Sequence, residues 1–426
     1  MPLKFVFGPS GSGKSTYLYQ HVIEESEKYP LKNFIVLVPE QFTMQTQKDL
    51  VSMHPRHGIM NIDVLSFARL AYRVFEETGT KQMQVLDDEG KNLILRKIAG
   101  DYEDKLTVLK GNIKKLGYIS EVKSVISEFT QYDIGEEEMD EMLDHLDEDS
   151  RLYYKLKDIR LLYEGFQDYL RERYITKEEL LDVLSSQVKE SELLKNSVVV
   201  LDGFTGFTPV QNRLILELMR CCREVWVTVT MDERENPYSY KHPYQLFGLS
   251  KQMVTTLVRM AGEDRIEVEE PVCLYGYPVR RFEKNRELAF LERNIFRYGA
   301  GRYDKAVENL EIHAAGNPRQ EADAVAEGIR RLVRKEQYRY RDIGVIVSDM
   351  NVYGDYLEQA FENYGIPVFM DHKRSILLNS FVEYIRSLLN MAEKNFSYES
   401  VFRFLRTNLA GFACEEVDEL ENYVLG

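Results

Sequence analysis

The nine residues GPSGSGKST, 8 to 16, follow directly on the apolar run LKFVF at 3–7. A strand that ends in glycines and opens at once into a helix leaves few folds available. Gly8, four residues, then Gly13, Lys14 and Ser15 complete the spacing of a phosphate-binding loop. In such a loop the glycines let backbone N–H groups converge on phosphate oxygens, and the following helix turns its positive end toward them. Gly8, Pro9, Ser10, Gly11, Ser12, Gly13, Lys14 and Ser15 therefore form the candidate nucleotide cradle. Lys14 is expected to reach the outer phosphates and Ser15 to ligate Mg2+. The alternative, an ordinary Gly/Ser turn, leaves the preceding strand and the amphipathic helix behind it unexplained.

The second element of such a site is an acid at the end of another apolar strand. VVVLDGFTGFTPVQ, from 198, supplies Asp202 as the partner for Mg2+. The alternative for Asp202 is a strand-end acid that caps the turn that follows, a reading that weakens beside the loop. Hydrolysing proteins of this type place a Glu directly after the Asp, to orient or deprotonate the attacking water. Gly203 stands there and can do neither, so no catalytic residue is assigned.

Short β-branched runs recur at LKFVF (3), FIVLV (34), DVLSF (63), VVVLD (198) and VWVTVT (225), with helical patterns between them. Strands alternating with helices predict a parallel sheet covered on both faces. From about Val85 to Asn196 no strand is evident and apolar residues fall at helical spacing, as in LYYKLKDIRLLYEGFQDYL at 152. From Asn309 a second alternation begins: NLEIHAA, a helix over RQEADAVAEGIRRLV, DIGVIVS, a helix over VYGDYLEQAFENYG, and IPVFM. The expected fold is α/β: a RecA-like P-loop domain (1–84 and 197–278) with a helical insert (85–196). The start of a second α/β domain (279–378) follows, then a helical segment (379–426) read as the start of a further insert. The pattern stops without a closing element, as in the front part of a longer protein.

Charge and cysteine content bear on partners and compartment. The net charge of −15, from 55 basic and 70 acidic residues, argues against adhesion to nucleic acid by bulk charge but allows a local basic groove. Much of the acid lies in DIGEEEMDEMLDHLDEDS, 133–150, a solvated helix and loop or, alternatively, an acidic contact surface. RRLVRKEQYRYRD, 330–342, reads as a solvated helix end leading into a strand; its alternative is phosphate contact by the cations and base stacking by Tyr338 and Tyr340. Cys221, Cys222, Cys273 and Cys414 show no ligand spacing and suggest buried, reduced residues. His54 and His57 lack a nearby ligand partner at metal spacing. No apolar run approaches a membrane span, and Lys4 and Gly8 interrupt the apolar start as no signal peptide would. A cytoplasmic protein without membrane contact is expected.

The order of these motifs resembles superfamily one DNA helicases of the UvrD and RecB type. VPEQFTMQTQKDL at 38 sits where that family contacts single-stranded DNA, which implies DNA contact by Gln41, Phe42 and Thr43. DVLSFARLAYRVF at 63 resembles its TFHxxxxRI-type segment, and LDGFTGFTPVQ matches DExxDxxxxQ at Asp202 and Gln211. DIGVIVSDMNVYGDYLEQAFENYGIPVFM resembles the start of its second motor domain. The wording GPSGSGKST, PEQFT and LDGFTGF looks most like the AddB (RexB) family.

This resemblance implies a component of an ATP-dependent helicase and deoxyribonuclease that processes double-strand DNA ends for recombination. It implies ATP and Mg2+ as cofactors, single-stranded DNA and DNA ends as substrates, and a motor protein of the AddA type as partner. The family's nuclease domain and 4Fe-4S cluster belong to its C-terminal part, not to this stretch. Three departures weaken the motor: Gly203, the run MDERENP where a GDxxQ-like segment senses the γ-phosphate, and Ser348 and Asp349 where relatives often have an Arg. No clear NYRS-like segment supplies an arginine to the phosphate; VRRFEKNR at 279 is the nearest candidate. The expectation is a chain that binds ATP and turns it over slowly, if at all. The competing reading is a catalytic P-loop NTPase, either an autonomous translocase or a nucleotide kinase.

Overall fold

In the computed structural model the described residues are 2–79, 84–113, 115–171, 174–299, 301–371 and 376–426. They divide into two compact units, the first running to Leu310 and the second from Glu311 to Gly426.

The first unit is built on a six-stranded sheet. Its strands are β1 (Leu3–Gly8), β2 (Asn33–Leu37), β3 (Ile62–Leu65), β6 (Ser197–Leu201), β7 (Glu224–Thr230) and β8 (Val272–Cys273); β4 (Gln84–Leu86) and β5 (Tyr174–Thr176) form a separate pair. The order across the sheet is β3-β2-β6-β7-β1-β8, and every pairing is parallel. The apolar runs are continuous because both faces are buried. Leu3, Phe5, Phe7, Ile35, Leu37, Val199, Leu201, Val225, Val227 and Val229 enter one core. Their neighbours Val6, Phe34, Val36, Val198, Val200 and Trp226 enter the other. The parallel α/β architecture expected from the sequence is present.

The segment after Val85 folds around its own core. Ile98, Ile126, Met139, Leu162 and Phe166 are buried there, contributed by helices Asp88–Asp101, Leu116–Gln131, Glu136–Asp144 and Arg151–Leu170. Asp158 fixes the loop between the first two helices by accepting the backbone N–H groups of Thr107, Val108 and Leu109. The strand-free reading of this segment needs correction, because β4 and β5 pair in parallel at its entry and exit. Three-residue strands are too short for alternation to reveal them. Helix Glu136–Asp144 carries the acidic run and buries only Met139, as a solvated helix does.

Residues 279–310 are tied into the first unit, whereas the expected second domain begins at 279; the second alternation itself, from Asn309, starts close to the division at Leu310. Arg293 pairs with Glu233, Arg297 with Asp232 and Glu235, and Glu287 accepts the N–H groups of Glu308 and Asn309. The run MDERENP thus supplies acids to an ion-pair cluster, in which Arg234 and Arg297 hold the Asp232 carboxyl down to about 2.

In the second unit helices Pro318–Lys335 and Met350–Asn363 pack through Ala322, Ala326, Ile329, Leu357, Ala360 and Phe361. The three strands expected beside them form no ladder among the described residues. Segments NLEIHAA, DIGVIVS and IPVFM are without sheet pairing, and Ile312, Ile346 and Phe369 are exposed. A strand exists only with a partner for its N–H and C=O groups, and apolar composition alone does not provide one.

Candidate nucleotide site

Parallel β1 and β6 deliver their C-terminal ends to the same edge of the sheet, with β7 between them. Open parallel sheets bind ligands at this edge. Gly8 ends β1, and helix α1 (Lys14–Lys28) begins six residues later. Gly11 and Gly13 have φ of +83° and +96°, left-handed values that disfavour any side chain and let the loop fold back over the helix start. Gly13 is the N-cap of α1, and no side chain caps its first turn. The free N–H groups and the positive helix end therefore face the loop.

Lys14 folds over this cradle, its Nζ donating to the carbonyls of Gly8 (2.9 Å) and Pro9 (3.0 Å). Burial lowers its pKa to about 8, against the opposing pull of Asp202. A phosphate would replace two neutral carbonyls by charged oxygens. The Ser12 hydroxyl is buried with no hydrogen-bond partner, an orphan that an oxygen-rich ligand would satisfy. Loop, lysine and orphaned hydroxyl together fit a nucleotide phosphate.

Asp202 follows β6 directly, its N–H donating to Leu37 O. Ser15 donates to its Oδ1 at 3.1 Å, so the two residues proposed for Mg2+ do meet. Two further hydroxyls, unforeseen from the sequence, close on the same carboxylate: Thr228 donates to Oδ1 at 2.6 Å and Tyr19 to Oδ2 at 2.7 Å. Register explains Thr228, because Leu201 lies opposite Val227 and the next residues are neighbours. Tyr19 stands one helical turn beyond Ser15, which puts both on one face of α1.

Gly203 adopts φ +81°, and a Cβ there would meet only Pro39, at 3.7 Å. Room for a larger side chain exists, but the backbone is left-handed, a conformation costing roughly 1 kcal/mol or more with a side chain. The missing carboxylate is thus matched by a backbone suited to glycine.

Arg280 and Arg281 come against the loop. The Arg281 N–H donates to Gly11 O at 3.0 Å. A Cβ at Gly11 would lie 2.8 Å from Arg281 Cβ, and one at Gly13 would lie 3.6 Å from an Arg280 guanidinium nitrogen. Neither guanidinium is hydrogen-bonded or ion-paired to a described residue, and both side chains are exposed. The segment VRRFEKNR, only the nearest candidate by motif, brings two free cations to the phosphate loop.

The remaining candidates are spread out. Gln41 and Phe42 are exposed in a short 3-10 turn, while Thr43 is buried and spends its hydroxyl on Glu40 O. Gln211 matches its motif but acts in helix capping, accepting from Thr208 N–H. In 330–342, Arg330 bonds the Tyr340 hydroxyl, Arg331 pairs with Glu311 and Arg339 with Asp342, so these three cations are engaged. Cys221 and Cys222 are buried, but Cys273 and Cys414 are exposed, which corrects the expectation of four buried thiols. Among the described residues no group of three or more His, Cys, Asp or Glu could hold a metal, and no helix is long and apolar enough to cross a membrane.

Comparison with known proteins shows the family. Residues 5–292 match the family described as ADDB, N-terminal. Over its whole length the chain is 44% identical to the B-type ATP-dependent helicase/deoxyribonuclease subunit of Lachnoclostridium phytofermentans, covering 37% of that protein. The namesakes from Clostridium kluyveri and Caldanaerobacter subterraneus subsp. tengcongensis are each 36% identical over the whole chain, which covers 37% and 36% of them. The chain thus spans little more than a third of the length of these relatives. With its phosphate loop, Asp202 strand and arginine segment all inside the matched region, the chain belongs to the ADDB N-terminal family.

Proposed function

We propose that this chain is the nucleotide-binding, DNA-guiding part of a B-type subunit of an ATP-dependent helicase/deoxyribonuclease, acting on DNA ends during recombinational repair. One observation carries the reading: the cradle from Gly8 to Ser15 is complete and joined to Asp202, while Gly203 occupies the place of the water-activating acid. The loop, Lys14, Arg280 and Arg281 would hold the phosphates of ATP, and Ser15 with Asp202 would hold Mg2+. The cation neutralises phosphate charge. Without an acid beside Asp202 the bound water is neither oriented nor deprotonated, so turnover is slow. Gln41 and Phe42, exposed on the turn after β2, are the residues proposed to meet single-stranded DNA. An AddA-type partner supplies the motor.

A second reading, an autonomous translocase, draws support from the free Arg280 and Arg281, because arginines at the phosphate accelerate transfer by several orders of magnitude. The two readings separate on strand unwinding, measured with this protein alone and then with an AddA-type motor protein. The expected result is salt-sensitive binding of single-stranded DNA with no unwinding until the partner is added. Unwinding by the isolated chain at the rate of the complex would establish the translocase instead.

A further inference from the structure

Thr46, Tyr19, Asp202 and Ser15 form a line of hydrogen bonds through the interior of the first unit. The Tyr19 oxygen lies 3.4 Å from Thr46 Oγ1 and donates to Asp202 Oδ2 at 2.7 Å; Ser15 donates to Asp202 Oδ1 at 3.1 Å. Tyr19, Thr46 and Asp202 are only 6%, 5% and 5% exposed, so their contacts are shielded from bulk solvent. The direction of the line follows from proton counting. A phenol has one proton, and that of Tyr19 is committed to the carboxylate, so Thr46 is the donor in their contact. At the other end Ser15 gives its proton to Asp202, which leaves the lone pairs of its Oγ free for a cation.

We propose that Tyr19 is a positioning residue for the divalent cation at Ser15, acting through Asp202. The proposal rests on the reading that Mg2+ and a nucleotide bind at this loop. A carboxylate can serve Ser15 only while its plane is held. Thr228 and Ser15 both approach Oδ1, and among the described residues Tyr19 is the side chain that holds Oδ2. Removing the phenol oxygen leaves a buried carboxylate oxygen without its donor, and the group can turn to seek another. The Ser15 lone pairs then lose their fixed direction. Thr46 lies on helix Thr43–Met53, so the orientation is set from outside α1 as well as from within it. Outer partners of this kind typically govern metal affinity by tenfold to a hundredfold.

The test compares wild type with Tyr19→Phe, which keeps the ring and its packing. ATP binding is titrated with Mg2+ by calorimetry, and with excess chelator as the cation-free control. We expect the Mg2+ concentration for half-maximal enhancement of ATP binding to rise about tenfold in Tyr19→Phe. Cation-free binding should be unchanged, and Thr46→Val should shift the Mg2+ requirement in the same direction by less. An unaltered Mg2+ requirement in Tyr19→Phe would overturn the positioning role alone. Equal losses with and without cation would assign Tyr19 to packing and overturn it too. If wild-type ATP binding shows no Mg2+ dependence, this proposal falls while nucleotide binding stands; if ATP does not bind at all, the nucleotide reading itself falls.

Discussion

Lys14→Ala will weaken ATP binding by at least tenfold, roughly 1.4 kcal/mol or more. Lys14 is poised by the carbonyls of Gly8 and Pro9, so its ammonium waits at the mouth of the loop and needs little ordering when phosphate arrives. Alanine removes the charge and leaves the backbone cradle intact, because the loop conformation depends on Gly11 and Gly13 and on the Arg281 N–H to Gly11 O bond. The residual binding reports what N–H groups and helix dipole contribute without the lysine. Calorimetric titration checks this, and unchanged affinity would mean that the loop no longer serves a nucleotide.

The second large effect is expected from Arg280→Ala/Arg281→Ala. Hydrogen bonds to charged groups contribute about 1.5–3 kcal/mol each, so losing both guanidiniums should lower ATP affinity by tenfold or more. ADP should suffer less, since it lacks the terminal phosphate. The Arg281 N–H to Gly11 O contact survives substitution, which separates side-chain charge from loop support. Equal ATP affinity in the double variant would show that these cations serve another partner. A loss identical for ATP and ADP would place them away from the terminal phosphate.

What the sequence disclosed and what it concealed divide along physical lines. GPSGSGKST was legible because the loop's demands are local: each glycine answers a backbone requirement within a few residues. Asp202 was legible because an acid ending VVVL is conspicuous. Tyr19 left a weaker trace, one helical turn beyond Ser15, and an aromatic there reads equally well as core. Thr228 could not be found by spacing, since β7 reaches the loop only through the fold, and VRRFEKNR at 279 was no more than the nearest candidate by motif, because its approach to Gly11 is likewise a product of the fold. The left-handed backbone of Gly203 was hidden as well, because the letter G records a missing acid but not a conformation. In the second unit the error ran the other way. DIGVIVS and IPVFM carry the composition of strands, yet a ladder depends on a neighbour that composition does not specify.

A nucleotide site that holds without turning over is the core of this account, and it rests on the contrast between a complete cradle and the glycine at 203. A motor must leave its ATP-bound state as fast as it enters it, and hydrolysis provides that exit. The most direct measurement pairs ATP affinity with ATP turnover on the same protein, each with and without single-stranded DNA. Mg2+-dependent ATP binding is expected, with turnover that stays low and rises little on adding DNA. Strong stimulation of turnover by single-stranded DNA in the isolated chain would contradict it.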